Sequence, residues 1–351
     1  MFHRSLLALA RPDPGPRRTP MRLLTQKAGL VPHRTLIVIR VAGTLPDSQP
    51  RHRKRPGHHS ARYAPNVRWM IVDAPLDSSG AGRGEERAPA ALRRAGLLDA
   101  LAAEDDGRVD EARLRDSTRD PASGVIGAAE LPRAGAAVSA RVAALISDGH
   151  RPLVLGGDCA ILPGICRALP PTTELWFVDA HPDFLDGVTS PTGEAADMDL
   201  SVVTGHGPAA AVGPDDALLD PNRVHLLGHR PPTDESSRVE AARIDPAIHQ
   251  LPAVEVLRRG AAAVGAGLVA GGDGPAWLHL DLDVVDPRDL PAVTYPEPDG
   301  LRWADLIALV TPLARADRLL GMSVTDLNTD EDPDGRHTRR VVEVLAQVLG
   351  D

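Results

Sequence analysis

The segments Glu174–Asp183 (ELWFVDAHPD) and Ala276–Pro287 (AWLHLDLDVVDP) decide the fold of this chain. Each begins with a short apolar run and ends in acidic residues. A third segment, Pro152–Cys159 (PLVLGGDC), has the same form. Short apolar runs bounded by polar and turn residues predict buried strands. Because polar groups that follow neighbouring parallel strands meet at the carboxyl edge of an open α/β sheet, the three segments predict one site.

Strand and helix patterns alternate from residue 67 onward. Apolar residues at helical spacing predict a helix within Leu131–Gly149, and the same spacing predicts a closing helix from Arg339. Residues 104–132 are polar and are predicted to be irregular, and the Gly-rich segment 80–86 is predicted to be a flexible loop because it lacks the dinucleotide-binding pattern. Alternating strands and helices imply right-handed crossovers. We therefore predict a three-layer α/β/α fold with a parallel sheet of about eight strands.

Charge is distributed unevenly along the 351 residues, whose formal net charge is −9. Residues 1–66 contain 13 Lys and Arg and two Asp, whereas the remainder has 20 more acidic than basic residues. The first part, rich in Pro, Arg and His, is predicted to be a basic disordered extension, which leaves residues 67–351 as the folded domain. An acidic body repels nucleic acid, so we expect no nucleic-acid partner.

The length of the apolar runs and the spacing of the cysteines indicate the cellular compartment of the protein. No run reaches the roughly 18 apolar residues typical of a membrane helix, so we expect no membrane partner. The apolar part of the first ten residues is too short for a secretory signal. Cys159 and Cys166 form no CxxC pair, which argues against a disulfide scaffold. A reducing, cytoplasmic location is therefore expected.

The acidic strand ends predict metal binding. Asp179, His181 and Asp183 alternate, so in extended backbone their side chains face the same way, and Asp281 and Asp283 repeat this spacing. Two carboxylates that end a buried strand repel each other unless a cation is present. Carboxylate oxygens with one imidazole suit Mn²⁺, Mg²⁺ or similar ions. Four carboxylates balance two divalent ions, and such a pair can lower the pKa of a shared water for hydrolysis without a covalent protein intermediate.

In these motifs the chain resembles the ureohydrolase family of arginases, agmatinases and formiminoglutamases. The family has Gly-Gly-Asp-His, Asp-Ala-His-x-Asp and Asp-x-Asp segments, and this chain has GGDC, DAHPD and DLDVVDP. The resemblance implies an arginase-type fold and two divalent metal ions, with Mn²⁺ the family ion. It implies that both ions are bridged by Asp179 and Asp281, that the first is also bound by Asp183, and that the second is bound by His181 and Asp283.

Cys159 stands where the family has a histidine on the first ion. A thiolate adds a negative charge and is softer than an imidazole, so it would favour Zn²⁺ or Fe²⁺ over Mn²⁺. Alternatively, Cys159 is a small buried apolar residue and the first metal site is weak or missing. The cysteine also resembles the pattern of the hydroxyarginine hydrolase type within this family.

Two further positions depart from the family pattern. Ala196 stands where arginases have a proton-shuttling histidine, so Glu194 or Asp199 could serve instead, with His206 farther along. Either carboxylate could equally cap the helix that starts near Asp199. Asp326 stands where the family has a glutamate that binds the guanidinium group, and its side chain reaches about one methylene less far.

The resemblance implies a binuclear metal-dependent hydrolase. It would cleave a C–N bond, not a peptide bond, in a linear amidine such as a guanidino compound, with Asp326 and Glu194 as the catalytic residues. Two alternatives remain open, a single-metal deacetylase of the same fold and a degenerate paralogue that binds metal without turnover. The expected partner is a small-molecule substrate, and the family implies a homo-oligomer, trimer or hexamer.

Overall fold

Strands and helices alternate along the described chain, which comprises residues 68–208 and 217–350 of this computed structural model. The strands are β1 (Trp69–Ala74), β2 (Glu104–Arg108), β3 (Arg151–Gly156), β4 (Glu174–Val178), β5 (Val224–Leu227), β6 (His249–Leu251), β7 (Ala276–Asp281) and β8 (Leu319–Thr325). The helices are α1 (Ala88–Arg94), α2 (Leu97–Leu101), α3 (Leu131–Ser147), α4 (Leu162–Ala168), α5 (Asp199–Val203), α6 (Glu235–Arg243), α7 (Ala253–Arg259), α8 (Ala261–Gly271), α9 (Trp303–Ala314) and α10 (Arg336–Leu349). The predicted basic extension, residues 1–66, lies outside the described residues.

The strands of the described ranges form one eight-stranded sheet in the order β2-β1-β3-β8-β7-β4-β5-β6. Every neighbouring pair is parallel. Parallel sheets need both faces covered, because the crossover helices lie on them. The observed sheet confirms the predicted α/β class.

Side chains on each strand alternate between two apolar layers. Trp69 of β1 and Trp176 of β4 pack on the face covered by α1, α2, α9 and α10. Met70 and Trp277 face the other way and pack with α3 and α4. Both Trp176 and Trp277 are fully buried. The sheet is thus the middle of three layers, as predicted.

Strand β2 shows that the prediction of irregular structure throughout residues 104–132 was wrong. Its sequence, EDDGR, contains no apolar residue. It lies at the edge of the sheet and pairs only with β1, so it needs no apolar face. Charged side chains on an edge strand also discourage pairing with other chains. An edge strand of this kind has no hydrophobic signature from which it can be predicted.

Four neighbouring strands at the centre of the sheet, β3, β8, β7 and β4, lead to the predicted site. The chain leaves β3, passes through α4 and enters β4, which is separated from β3 by β8 and β7. Reversal of strand order opens a crevice outside the carboxyl ends of the strands. The three predicted strand ends, together with the end of β8, therefore meet at one edge.

The predictions about membrane helices and disulfides concern the length of the described helices and the state of the two cysteines. Within 68–208 and 217–350, no helix is both long enough and apolar enough to cross a bilayer. Cys159 and Cys166 are buried and form no disulfide.

The turn after β3 requires a glycine at position 157. A Cβ added to Gly157 would lie 1.8 Å from the carbonyl oxygen of Leu76. The backbone N–H of Gly157 donates to the carbonyl of Ala74 at 3.2 Å, and that of Asp158 donates to Leu76 at 2.9 Å. Because the crowded atom belongs to the backbone, it cannot move without breaking this contact. Glycine therefore lets the GGDC turn lie directly against the end of β1.

Replacing Gly157 with alanine should destabilise the protein by about 3 kcal/mol, because the added methyl group overpacks a backbone contact. Urea unfolding of the full chain measures this change. Gly267→Ala is the matched control, since nothing lies within 4 Å of its added Cβ and it lies within α8. Alanine there should stabilise the protein by up to about 1 kcal/mol. Equal unfolding midpoints for the two variants would contradict the close approach.

At the amino ends of the strands, Glu174 of β4 contacts His225 of β5 and Arg318, which directly precedes β8. Its Oε1 accepts a hydrogen bond from Trp176 Nε1 at 2.9 Å and lies 3.0 Å from His225 Nε2. Its Oε2 lies 2.7 Å from Arg318 Nη1. Burial would raise the pKa of Glu174, but hydrogen bonds from His225, Arg318 and Trp176 lower it to about 2. The ionised carboxylate therefore stabilises the fold above its ordinary pKa, and this contribution is lost as pH falls from about 4.5 towards 2.

Glu174→Gln should lower the free energy of unfolding by about 2 kcal/mol at neutral pH, because charge-assisted hydrogen bonds are lost. The difference from the wild type should shrink as the pH falls from 5 to 3, since Glu174 of the unfolded wild-type chain then becomes protonated, whereas Glu174 of the folded protein, with a pKa of about 2, stays ionised. Denaturant unfolding across this range checks it. Glu343→Gln, which changes a largely exposed carboxylate, should follow the wild type. A Glu174→Gln deficit that is constant with pH would contradict the proposed role of the charge.

Candidate metal centre

A cavity of 180 Å³ lies at the carboxyl edge of the central strands. Seven of the eight predicted site residues line it: Cys159, His181, Asp183, Glu194, Asp281, Asp283 and Asp326. The eighth, Asp179, is 1% exposed and lies among the same side chains. The fold thus brings together residues that are up to 167 positions apart in sequence.

Asp179, His181 and Asp283 form one group of possible metal ligands. Their ligand atoms all lie within 4.8 Å of one another. His181 Nδ1 is 2.8 Å from Asp283 Oδ2 and 3.8 Å from Asp179 Oδ1. The backbone N–H of Ala180 donates to Asp283 Oδ1 at 3.1 Å, which fixes the β7 carboxylate against the end of β4. Two carboxylates and one imidazole make a donor set suited to a divalent ion.

Cys159, Asp179 and Asp281 form a second group, also with ligand atoms within 4.8 Å of one another. Cys159 Sγ lies 2.7 Å from Asp281 Oδ2 and 3.9 Å from Asp179 Oδ2. Asp281 Oδ1 accepts a hydrogen bond from the backbone N–H of Asp283 at 2.7 Å, so its other oxygen faces the thiol. Asp179 belongs to both groups and presents one oxygen towards each.

Asp183 lines the same cavity, but neither of these two groups within the described chain includes it. Its backbone φ of 47° lies in the left-handed region, which non-glycine residues rarely adopt. Burial raises the pKa of Asp183 well above its usual range, and the charges of Asp199 and Glu240 raise it further. Asp183 is thus held in a strained conformation beside other buried acids.

The buried carboxylates destabilise one another when ionised. Burial is the main cause that raises the pKa of Asp179 and Asp326 well above the usual range, and that of Asp281 to about 7. Neighbouring carboxylate charges raise all three further. For Asp283 burial acts in the same direction, but the charge and hydrogen bond of His181 outweigh it and lower the pKa. A divalent cation at this position would reverse the raised values.

Asp199 is a further donor beside these groups. It is completely buried, and neither of its carboxylate oxygens has a hydrogen-bond partner among the described residues. Its ligand atom lies within 4.8 Å of those of Cys159 and His279. A buried carboxylate without a donor is costly, and a cation would satisfy it. The residues at this edge therefore fit divalent metal ions.

Cys159 lies at the centre of the polar contacts. Its Sγ is 3.1 Å from His279 Nε2, 3.1 Å from Thr325 Oγ1 and 3.2 Å from Asp326 Oδ2. Burial raises the pKa of the thiol well above its usual value, and the charge of Asp281 adds to the effect. A metal ion would have to displace the thiol proton before the sulfur could bind it.

The loop that carries Glu194 and Ala196 covers one side of the cavity. Glu194 Oε2 lies 2.6 Å from Arg83 Nη2, so this carboxylate is paired with a guanidinium. Neither predicted helix cap forms: Glu194 makes no side-chain capping hydrogen bond, and Asp199 is the first residue of α5 rather than its N-cap. His206 lies 3.2 Å from Asp245 and does not line the cavity.

Several site residues were missed by the sequence analysis. Segment 80–86, predicted to be a flexible loop, contributes Arg83 and Glu85 to the cavity wall, where Arg83 also contacts the Tyr295 hydroxyl at 3.2 Å. Its position directly after β1, at the carboxyl edge, was the available signal. His279 was also missed, although it continues the alternation of Asp281 and Asp283 along β7.

Comparison with known proteins supports the same assignment of fold. Residues 67–350 match the model of the Arginase family. An arginase from Brevibacillus brevis is 27% identical over 300 residues, which cover 82% of this chain and 99% of the relative. An N(omega)-hydroxy-L-arginine amidinohydrolase from Streptomyces lavendulae is 31% identical over 195 residues, 54% of this chain and 62% of the relative. The solved structure of Bacillus caldovelox arginase matches with a TM-score of 0.72 at 24% identity, covering 82% and 99% of the two chains.

Replacing Cys159 with histidine should shift the metal preference from Zn²⁺ towards Mn²⁺, because an imidazole is a harder ligand than a thiolate. We expect the ratio of the two affinities to change on the order of tenfold, or about 1.4 kcal/mol. Competitive metal binding to metal-depleted full-length protein measures this ratio. Cys166→Ala, which changes a buried cysteine outside the cavity, is the control. An unchanged ratio in Cys159→His would show that residue 159 does not bind the ion.

Proposed function

This chain belongs to the arginase family, and on that basis we propose that it is a binuclear metal-dependent hydrolase. The proposed reaction cleaves a C–N bond, other than a peptide bond, in a linear amidine such as a guanidino compound. The observation that carries the proposal is the pair of ligand groups that share Asp179. Two groups with one common carboxylate suit two ions that lie close together.

The family resemblance assigns the proposed ligands, and the two groups of close ligand atoms contain all of them except Asp183. Asp179 and Asp281 would bridge two ions, Cys159 and Asp183 would complete the first site, and His181 and Asp283 the second. When bound, such a pair supplies Lewis acidity and lowers the pKa of a shared water. Manganese is the ion implied by the family, whereas the Cys159 sulfur favours zinc or iron.

The cavity is suited to a small cationic substrate. Its volume of 180 Å³ admits a small molecule, and most of its charged lining residues are acidic. A cleft lined by one sign of charge concentrates ligands of the opposite sign. An amidinium or guanidinium group is planar and cationic, so it can donate hydrogen bonds to carboxylates in pairs. The proposed partner is accordingly a small-molecule substrate.

Glu194 is the proposed proton carrier in place of the histidine that the family has at Ala196. Burial raises the pKa of Glu194, while Arg83 lowers it. A carboxyl group with a raised pKa can hold a proton closer to neutral pH and pass it to a leaving nitrogen. Asp326 is proposed to orient the substrate cation, since it lines the cavity beside Cys159.

Two wider proposals have different grounds. We propose that the protein acts in the cytoplasm, because its two cysteines are unpaired. From the family resemblance we propose that it forms a homo-oligomer, a trimer or a hexamer.

A single-metal enzyme is the second candidate. The group of Asp179, His181 and Asp283 is complete without Asp183, which lies outside both groups of close ligand atoms. Such an Asp-His-Asp set suits the single-metal deacetylase that the same fold supports. Metal analysis distinguishes the two candidates, because a binuclear hydrolase holds two ions per chain and the alternative holds one.

A product screen tests the proposed reaction. Metal-loaded protein is offered arginine, hydroxyarginine, agmatine, guanidinobutyrate and formiminoglutamate, and urea, ammonia or the matching amide product is measured. We expect one of them to be hydrolysed. Two bound ions per chain without hydrolysis of any of these compounds would support the degenerate paralogue instead.

Asp281→Asn should remove metal binding and hydrolysis together, because Asp281 is proposed to bridge both ions. We expect the loss of activity on the hydrolysed substrate to exceed about a hundredfold. Elemental analysis and the product assay are run on the same samples. Asp334→Asn, a change on the exposed surface, should leave both properties unchanged. An active Asp281→Asn variant with two ions would exclude the proposed ligand set.

A further inference from the structure

Glu85 is a carboxylate of the cavity wall that is neither a proposed metal ligand nor the proposed proton carrier. It lies in a third acidic group with Asp77 and Asp158, whose ligand atoms are all within 4.8 Å. The other two members are already engaged by backbone N–H donors. Asp77 accepts from Ser79, Gly82 and Arg83, and Asp158 accepts from Ser78 and Ala160.

The Glu85 carboxylate has one satisfied and one unsatisfied oxygen. Glu85 is only 1% exposed. Its Oε1 accepts a hydrogen bond from the Thr294 hydroxyl, whereas its buried Oε2 has no hydrogen-bond partner among the described residues. A buried carboxylate oxygen without a donor is costly, so this atom is suited to a ligand that brings one.

Arg83 is the cation nearest to the unsatisfied oxygen, but it is committed elsewhere. Its Nη2 lies 4.0 Å from Glu85 Oε2, too far for a hydrogen bond. The same Nη2 is 2.6 Å from Glu194, and Nη1 donates to the Tyr295 hydroxyl at 3.2 Å. Arg83 therefore leaves the hydrogen-bonding capacity of Glu85 Oε2 available.

The position of Glu85 is fixed by Thr294, which lies between β7 and β8, and by the segment that follows β8. Thr294, the donor to Glu85, itself accepts a hydrogen bond from Asn328 Nδ2 at 3.0 Å. The Thr329 hydroxyl donates to the carbonyl of Gly84 at 2.9 Å. A Cβ added to Gly84, whose φ is 125°, would lie 2.1 Å from Asn328 Oδ1. Glu85 is thus held before any substrate arrives, which reduces the entropy lost on binding.

Asp326 lies two residues before Asn328 and faces a different set of groups. Its Oδ2 is 3.2 Å from Cys159 Sγ, and its carboxyl also interacts with that of Asp281. Asp326 adopts a left-handed backbone conformation, with φ 66°, and its short side chain points to the metal ligands. The wall formed by Glu85 is therefore a part of the cavity that has a buried carboxylate oxygen without a hydrogen-bond donor.

We propose that Glu85 binds the cationic nitrogen group of the substrate, with Oε2 accepting an N–H of the amidinium while Thr294 holds Oε1. This inference rests on the proposed function, since it assigns a second substrate-binding carboxylate, in addition to Asp326, to the same cavity. Burial raises the pKa of Glu85 to about 7, and the Thr294 hydrogen bond opposes that rise. A cationic ligand favours the ionised form, so binding and ionisation support each other.

The test compares two probes of the same shape, butylguanidinium and the neutral butylurea. Their binding to metal-loaded full-length protein is measured by calorimetry, which requires no turnover. The wild type should bind butylguanidinium more tightly than butylurea. Glu85→Gln should weaken binding of the cation by roughly tenfold or more and leave that of the urea unchanged, because one charge-assisted hydrogen bond is lost. The number of metal ions per chain should stay the same.

Glu86→Gln is the matched control, since Glu86 is the next residue and its carboxylate turns to Gly84 and Arg87 instead of the cavity. It should bind both probes as the wild type does. Glu85→Asp keeps the charge with a shorter reach, and it should retain part of the preference for the cation. If Glu85→Gln does not fold, Glu85→Asp takes its place in the comparison.

Three results would overturn the inference: equal binding of both probes by the wild type, unchanged cation binding in Glu85→Gln, or loss of metal from Glu85→Gln. The proposed function is tested separately. Hydrolysis of an amidine by Glu85→Gln at the wild-type kcat/KM would uphold the function and reject the role of Glu85. Conversely, cation selectivity that depends on Glu85 in a protein without hydrolytic activity would uphold the binding role alone.

Discussion

Repulsion among buried carboxylates at the centre of the sheet is the constraint on which the rest of the structure depends. Asp179, Asp281 and Asp283 are each at most 5% exposed, and Asp199 is not exposed at all. Backbone N–H groups satisfy some of their oxygens, as when Asp179 accepts from His181 at 2.6 Å. These bonds fix where each carboxylate points, but they do not neutralise its charge. Only cations or protons can do that in a buried site.

The surrounding fold holds these groups in place despite the repulsion. Strands β4, β7 and β8, which are fully buried, and β3, which is buried after Arg151, supply the apolar packing that offsets the cost of the site. Asp183 and Asp326 have positive φ angles, and such strained backbone persists only where neighbouring structure determines it. The approach of Gly157 to Leu76 shows how closely the strand ends pack. Rigidity at this edge keeps the acidic side chains from separating in the absence of a cation.

The sequence predicts those parts of the site that continue a strand. Asp179 and Asp281 could be identified because each follows an apolar run, and alternation then identifies their neighbours two residues on. The order of the strands could not be read in this way, yet it is what places the end of β8 between those of β3 and β7. Arg83 and Glu85 escaped prediction for the same reason. Their glycine-rich segment has no periodicity, and its role depends on the loops that β1 meets at the sheet edge.

Three residues differ from the family pattern: Cys159, Ala196 and Asp326. Together they change where negative charge lies in the cavity. In the proposed site, Cys159 would bind an ion. Asp326, whose Oδ2 lies 3.2 Å from Cys159 Sγ, would orient the substrate cation beside it. Bound ions would use the charge of the strand-end carboxylates and leave little of it for a cationic substrate. Attraction for that substrate must then come from acids outside the ligand groups. Glu194 is paired with Arg83, whereas Glu85 has an oxygen without a donor. The proposed metal binding by the strand ends and the proposed substrate binding by the loop after β1 would thus be separate uses of the same excess of negative charge.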